Sequence, residues 1–323
     1  MTTGRVSVIV PMHNASKHIE QCLSSVAGQT AKGLEVVLVD DCSADDTVRK
    51  AEKYPYEIIK LAARARPGAA RNRGARKASG AILVFIDSDV VLNPDSVERI
   101  VTCLSEPDTD AVSGTYSADM AQTGFFSQLQ NLMSAYRQSN LPELVAFTNS
   151  AFCAVKRAAF EDAGGYDETM SYYEDVEIGH RLTRKGYRCR SIPELTVTHL
   201  KQFSHLGLLG DYFKKAAAAA ACMRKNRFER IGSEELPTSL KVAGMSSGLL
   251  LLAVPFVGMT SVPFFLFLGA YSIAIAPLLR FLAGQRDLVF GVKAYFACYE
   301  ICLVSLCAMA YGALAGVNND RTA

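Results

Sequence analysis

Short β-branched runs and helix-spaced apolar positions alternate along the first half of this chain. Val6-Ser7-Val8-Ile9-Val10 stops at Pro11, which predicts a buried strand passing into a loop. Ile19, Leu23 and Val26 then share one helix face within residues 16–29. Glu35–Val39 is a second buried strand, closed by the acidic turn Asp40–Thr47. A helix follows, and Glu57–Leu61 reads as a third strand. Residues 67–79 read as a helix opened by Pro67-Gly68, and Ala81–Ile86 as a fourth strand ending in Asp87-Ser88-Asp89. Strands alternating with helices at this spacing predict a parallel, doubly wound sheet. Ligands of such sheets sit beyond the carboxyl ends of the strands. Three of these strands end in Pro11/His13/Asn14, Asp40/Asp41 and Asp87/Asp89, so groups far apart in sequence are expected along one edge.

Beyond Pro94 the pattern weakens, and residues 115–150 are polar and aromatic without a clear period. Order returns at Phe152–Arg157 and at the turn Gly164-Gly165-Tyr166-Asp167. A helix is expected from Tyr173 to Lys185, closed by Gly186, and a strand over Leu195–Thr198. The end of the chain is different. From Val242 to Leu279 there is no Asp, Glu, Lys, Arg or His. As one helix that stretch is about 57 Å long at ~1.5 Å per residue, against a hydrocarbon core of roughly 30 Å. Pro255, Gly258 and Pro263 interrupt it, which predicts a hairpin of two short crossings, with Ala294–Val317 crossing once more. Arg280, Arg286 and Lys293 fall on the side of the basic segment 201–241, in keeping with the positive-inside tendency. That segment holds Lys214, Lys215, Arg224, Lys225, Arg227 and Arg230 around the run Ala216–Ala221, and reads as an interfacial helix on anionic headgroups. Glu300 inside the last segment is expected to face a protein partner or polar pocket.

Composition narrows the classes. A net charge of +2 over 323 residues excludes a strongly basic nucleic-acid binder. None of the nine cysteines forms a CxxC pair and their number is odd, which argues for a reducing compartment. The polar Met1–Arg5 and the short Val6–Val10 run do not make a signal peptide. The soluble part is therefore expected on the cytoplasmic side of the inner (plasma) membrane.

The strand exits suggest one chemistry. Asp87 and Asp89, at i and i+2 after an apolar strand, suit a hard cation such as Mg²⁺ or Mn²⁺ that keeps positions open for diphosphate oxygens. Asp41 suits a base imide, His13 the face of that base, and Arg71 in Gly68-Ala69-Ala70-Arg71-Asn72 a phosphate fork. Each has a plainer reading alone, as a helix cap, a loop residue and a solvated helix charge. Glu174-Asp175 offers either a capped helix or a general base for an acceptor hydroxyl. His199 is either a third metal ligand or a lone polar histidine.

These residues resemble glycosyltransferase family 2. The resemblance rests on VSVIVPMHN (6–14), LVDDCSADDT (38–47), GAARNRG (68–74), FIDSD (85–89), GGYDE (164–168) and Glu174-Asp175, in that order, and covers roughly residues 5 to 200. It implies an inverting, metal-dependent enzyme of GT-A fold: a Rossmann-like α/β domain with a mostly parallel sheet flanked by helices, here followed by C-terminal membrane helices. On that pattern Pro11, His13 and Asp41 meet the donor base and Arg71 its phosphates, with Asn14 and Asp87 also binding the donor. Asp87 and Asp89 match the metal and ribose motif, Asp175 the catalytic base, and His199 a metal ligand found in part of the family. His13 stands where Tyr is common. The chain has no Trp, so the Gln-x-x-Arg-Trp motif of processive synthases is absent and transfer of a single sugar is expected. The domains expected are a catalytic domain (1–200), a basic interfacial segment (201–241) and membrane helices (242–317, hairpin 242–279 plus helix 294–317). The partners expected are a nucleotide-sugar donor, a lipid-linked or glycan acceptor and membrane lipids. A polyprenyl-phosphate glycosyltransferase and a non-catalytic nucleotide-sugar-binding scaffold are the rival readings.

Overall fold

The computed structural model describes residues 5–120, 123–146, 149, 151–224, 238–253 and 262–314. The chain divides into two compact units: Met1–Ala121 with Leu141–Lys201, and Gln122–Asn140 with Gln202–Ala323. The second thus claims Gln122–Asn140, which the boundary drawn at residue 200 left inside the catalytic domain.

In chain order the first unit runs β1 (Val6–Met12), α1 (Ile19–Ala27), β2 (Glu35–Asp40), α2 (Thr47–Ala51), β3 (Glu57–Lys60), α3 (Pro67–Lys77) and β4 (Ile82–Ile86). It continues through β5 (Val90–Leu92), α4 (Ser96–Leu104) and β6 (Ala111–Tyr116). The second unit's α5 (Phe125–Ser139) intervenes before β7 (Leu144–Val145), β8 (Phe152–Lys156), α6 (Arg157–Asp162), α7 (Glu174–Arg184) and β9 (Cys189–His199). The strands form one sheet in the order β3-β2-β1-β4-β8-β6-β9-β5, with β7 also on β9. The β3-β2-β1-β4 half is parallel as the alternating pattern predicted. Past β4 the expectation of a mostly parallel sheet is corrected: β8 is antiparallel to both β4 and β6, and β5 and β7 are antiparallel to β9, whereas β6 and β9 run parallel. An apolar run such as Phe152–Val155 reads alike in both directions. The long connection from 87 to 151 sets its direction instead.

β1 runs through Pro11 to Met12, two residues past the expected end at Val10. The Met12 C=O accepts the Asp41 N–H at 2.8 Å, so Met12 bonds toward β2 and Pro11 faces the other way. There the ladder with β4 has already ended at Ile9–Phe85, and the missing proline N–H breaks nothing. Helices cover both faces of the sheet, with α1 and α4 on one and α3, α6 and α7 on the other. Gly74 sets how close α3 lies: a Cβ there would stand 2.5 Å from Ile9 Cγ2.

The second unit adds α8 (His205–Arg224), α9 (Thr238–Ala253), α10 (Val262–Gln285) and α11 (Leu288–Leu314) to α5. Two helices, Pro263–Gln285 and Leu288–Ala313, are long and apolar enough to cross a membrane. The first runs beyond the expected end at Leu279 and the second starts before Ala294, because Arg280 and Lys293 are expensive in lipid but ordinary in a helix. Pro263 opens α10, where its missing N–H is harmless. Pro255, Gly258, Lys225, Arg227, Arg230 and residues 315–317 lie outside the described residues.

The alanine run of α8 is buried, and it packs along α11. A Cβ on Gly312 would come within 2.5 Å of the Ala217 carbonyl, so small residues let these backbones nearly touch. Glu300 meets a protein partner, His205 Nε2 at 2.6 Å, and Phe126 stacks on that imidazole at 4.7 Å.

Candidate active site

The site is built where β1, β2 and β4 run out. His13 Nδ1 lies 2.7 Å from the Asp41 carbonyl, so it carries the proton. Nε2 is then free to accept from Asn14 Nδ2 at 3.2 Å. Asn14 turns the chain at φ +48° and fastens the two loops: its Oδ1 accepts the Ala44 N–H at 2.9 Å and its own N–H donates to Ser43 Oγ at 3.0 Å. Asp41 is buried, and its Oδ1 accepts the Ala65 N–H at 2.5 Å, tying the loop before α3 to the β2 exit. Burial raises its pKa, against the pull of that amide.

Asp45 is a second clip, accepting from the Ser16 N–H at 3.1 Å and from the Thr47 N–H at 3.0 Å. Burial works against its ionisation, but the Thr47 and Ser16 hydrogen bonds outweigh it and bring Asp45 down to about 2. A carboxyl depressed on folding stabilises fully above its ordinary value of 3.8 and ceases to do so as pH falls through about 2. Asp45→Asn is therefore expected to lower the urea midpoint at pH 7, with the gap to wild type closing across that acid window.

Arg71 joins the next two groups. It is 3% exposed, and its Nη2 donates to Asp87 Oδ1 and its Nη1 to Glu174 Oε1, both at 2.7 Å. Its Cζ lies 5.7 Å from the centre of the Tyr166 ring. Both terminal nitrogens of the residue read from the sequence as a phosphate fork hold carboxylates inside the protein. Burial pushes Glu174 up to about 6 despite that guanidinium. Asn72, one residue on, accepts the Tyr166 N–H and donates to the Tyr166 C=O, each at 2.8 Å. Gly68 lies under the same turn, with room for a Cβ only 3.1 Å from that of Tyr166. GAARNRG and GGYDE are thus two halves of one joint.

Asp87 and Asp89 do not share a partner as expected. Asp87 belongs to Arg71, whereas Asp89 Oδ2 faces His199 Nε2 at 3.5 Å. Burial raises the Asp87 carboxyl, with Arg71 opposing. For Asp89 burial is outweighed by the His199 imidazole, which leaves it lowered. Among the described residues no group of three or more His, Cys, Asp or Glu side chains gathers as a metal cluster. The Asp89–His199 pair still fits a divalent cation: one carboxylate and one imidazole suit Mn²⁺, with positions left for phosphate oxygens and water. Asp87, expected as a metal ligand, is paired with Arg71.

Asp175 is the second residue of α7, half-buried, with Oδ1 accepting the Val176 N–H at 2.9 Å. The N-cap position is Tyr173, at φ +65°, and Asp175 serves the helix N-terminus from within the first turn. Sequence reasoning missed Tyr116, whose ring stacks on His199 with centroids 4.3 Å apart. It lay in the stretch without a clear period. Asn72 was visible inside a quoted motif but was given no task.

A half-parallel, half-antiparallel sheet with its polar groups at the exits of β1, β2 and β4 is the GT-A fold of glycosyltransferases. Residues 7–164 match glycosyl transferase family 2, so this part of the chain is a domain of that family. Asp175 and His199 lie beyond the matched span. The chain is 31% identical over 193 residues to glycosyltransferase AglE of Haloferax volcanii, covering 56% of this chain and 62% of that protein. It is 32% identical over 127 residues to the uncharacterized glycosyltransferase YibD of Escherichia coli, covering 38% of this chain and 37% of that one. These relatives are therefore matched over less than two thirds of their length. The mannosyltransferase PcManGT from Pyrobaculum calidifontis, solved in complex with GDP-Man and Mn²⁺, aligns over 97% of this chain and 88% of its own. Its TM-score is 0.62 at 22% identity, a likeness of fold.

Proposed function

We propose that this protein is an inverting glycosyltransferase that moves one sugar from a nucleoside-diphosphate donor to an acceptor hydroxyl. The observation that carries the reading is the Arg71 bridge. One buried guanidinium holds Asp87 at the β4 exit and Glu174 at the head of α7, which supports assigning the neighbouring Asp89 and Asp175 to one site.

His13, Asn14 and Asp41 with the β2-exit loop receive the base, beside Pro11. Asp89 and His199 hold a divalent cation, which neutralises charge on the departing diphosphate when bound. Asp175 takes the proton of the acceptor hydroxyl. That oxygen bonds to the anomeric carbon from the face opposite the donor oxygen, whose bond breaks, and the nucleoside diphosphate leaves with the electron pair. Support comes from the motif order, from relatives named as glycosyltransferases and from a neighbour of like fold solved with GDP-Man and Mn²⁺.

The acceptor in this reading is lipid-linked or a cell-envelope glycan, reached from the cytoplasmic face of the plasma membrane. The two apolar helices support an anchor. A similarity to poly(ribitol-phosphate) β-N-acetylglucosaminyltransferase TarS of Staphylococcus aureus, 33% identical over 115 residues, is in keeping with an envelope glycan.

Calorimetry tests the cation site. Wild type is expected to bind GDP or UDP far more tightly with Mn²⁺ than with chelator, and Asp89→Ala to lose at least tenfold of the Mn²⁺-dependent affinity. Unchanged binding by the variant would remove Asp89 from the site.

A further inference from the structure

We infer that Tyr116 is a positioning residue for the cation site, holding the His199 imidazole so that Nε2 stays turned toward Asp89. This rests on the cation reading above. The Tyr116 and His199 rings are parallel within 10°, centroids 4.3 Å apart, and His199 is 6% exposed. The outer torsion of a histidine is broad, so its ring plane is set by what it packs against. A flat aromatic face at this distance removes that freedom, because an imidazole turned out of parallel would drive its edge into the phenol.

The backbone already fixes everything else. His199 pairs with Val90, the residue after Asp89, and the Leu200 N–H donates to the Asp89 carbonyl at 2.7 Å. Main chains of the two ligands are thus tied, and ring orientation is the remaining variable.

The sequence puts the tyrosine there through a glycine. β6 and β9 pair in step from Ala111↔Cys189 to Ser113↔Ser191, then resume at Thr115↔Thr196 and Tyr116↔Val197. In even register Tyr116 would stand opposite Glu194. The offset places it beside Val197, two residues before His199 and diagonal to it, within reach of an aromatic ring. Gly114 lies at the jump: a Cβ there would fall 2.3 Å from the Leu195 carbonyl oxygen and 2.4 Å from Phe152 Cδ1. No other residue admits that approach.

The test is Mn²⁺ affinity of the full chain in detergent micelles, read by electron paramagnetic resonance and calorimetry with GDP or UDP present. Tyr116→Ala is expected to weaken Mn²⁺ binding by about 10–100-fold, the usual effect of losing support behind a ligand. Tyr116→Phe keeps the flat ring and is expected to stay within about threefold of wild type. In a His199→Ala background the Tyr116→Ala loss is expected to vanish, since nothing remains to orient. Equal damage by Phe and Ala overturns the inference, as does a loss that persists without His199 or a Tyr116→Ala variant that binds like wild type. If wild type itself shows no Mn²⁺-dependent nucleotide binding, the cation reading fails first, before any variant is made, and takes this inference with it.

Discussion

Asp175→Asn is expected to lower the transfer rate by about 10²–10⁴-fold, the span that a positioned general base contributes, while Mn²⁺-dependent nucleotide binding stays within about threefold of wild type. The amide keeps the shape of the carboxylate and can still accept the Val176 N–H, so α7 retains its first turn. What it loses is a place to put the acceptor proton. The same variant discriminates between acceptors. A polyprenyl phosphate is already ionised and needs no base, so near-normal transfer by Asp175→Asn would move the reading to that class. Parallel loss of binding and transfer would instead make Asp175 a donor ligand.

The largest stability effect is expected at Arg71. Arg71→Met leaves Glu174 buried without its counter-ion and Asp87 without its guanidinium partner, and is expected to cost about 3–5 kcal/mol. Thermal unfolding of the full chain in detergent measures this as a lowered midpoint. Adding Glu174→Met is expected to restore part of the loss, because a buried pair replaced whole by apolar groups is far less damaging than a pair broken in half. If the double variant is no more stable than the single one, the guanidinium holds the site by some means other than this pairing.

Much of the first unit was legible because its local signals agree. β1, β2 and β4 are apolar on both faces and stop at residues that suit a strand exit, and Gly186 closes α7 at φ +87° as a C-cap should. The direction of β8 was not legible, since an evenly apolar strand carries no arrow. Nor was the internal use of Arg71. A basic residue near phosphate-binding motifs invites an external partner, and only Asp87 and Glu174 brought together from 16 and 103 residues away reveal the internal one. Tyr116 was hidden for a related reason: its neighbour depends on a register jump at Gly114 that no periodicity encodes. In the second unit, the alanine run of α8 signalled a helix but not the face that Gly312 of α11 would meet.

The placement of α5 has a consequence for synthesis. Tyr136 rests against Phe281 and Phe125 against Phe290, and Leu129 and Leu132 are wholly enclosed. During translation the apolar face of this helix emerges about 145 residues ahead of Phe281, the first of these partners. At roughly 5–20 residues per second the ribosome leaves it waiting for some 7–30 s. A nascent chain in that interval has reason to seek a chaperone or the bilayer surface, well before its own last helices arrive.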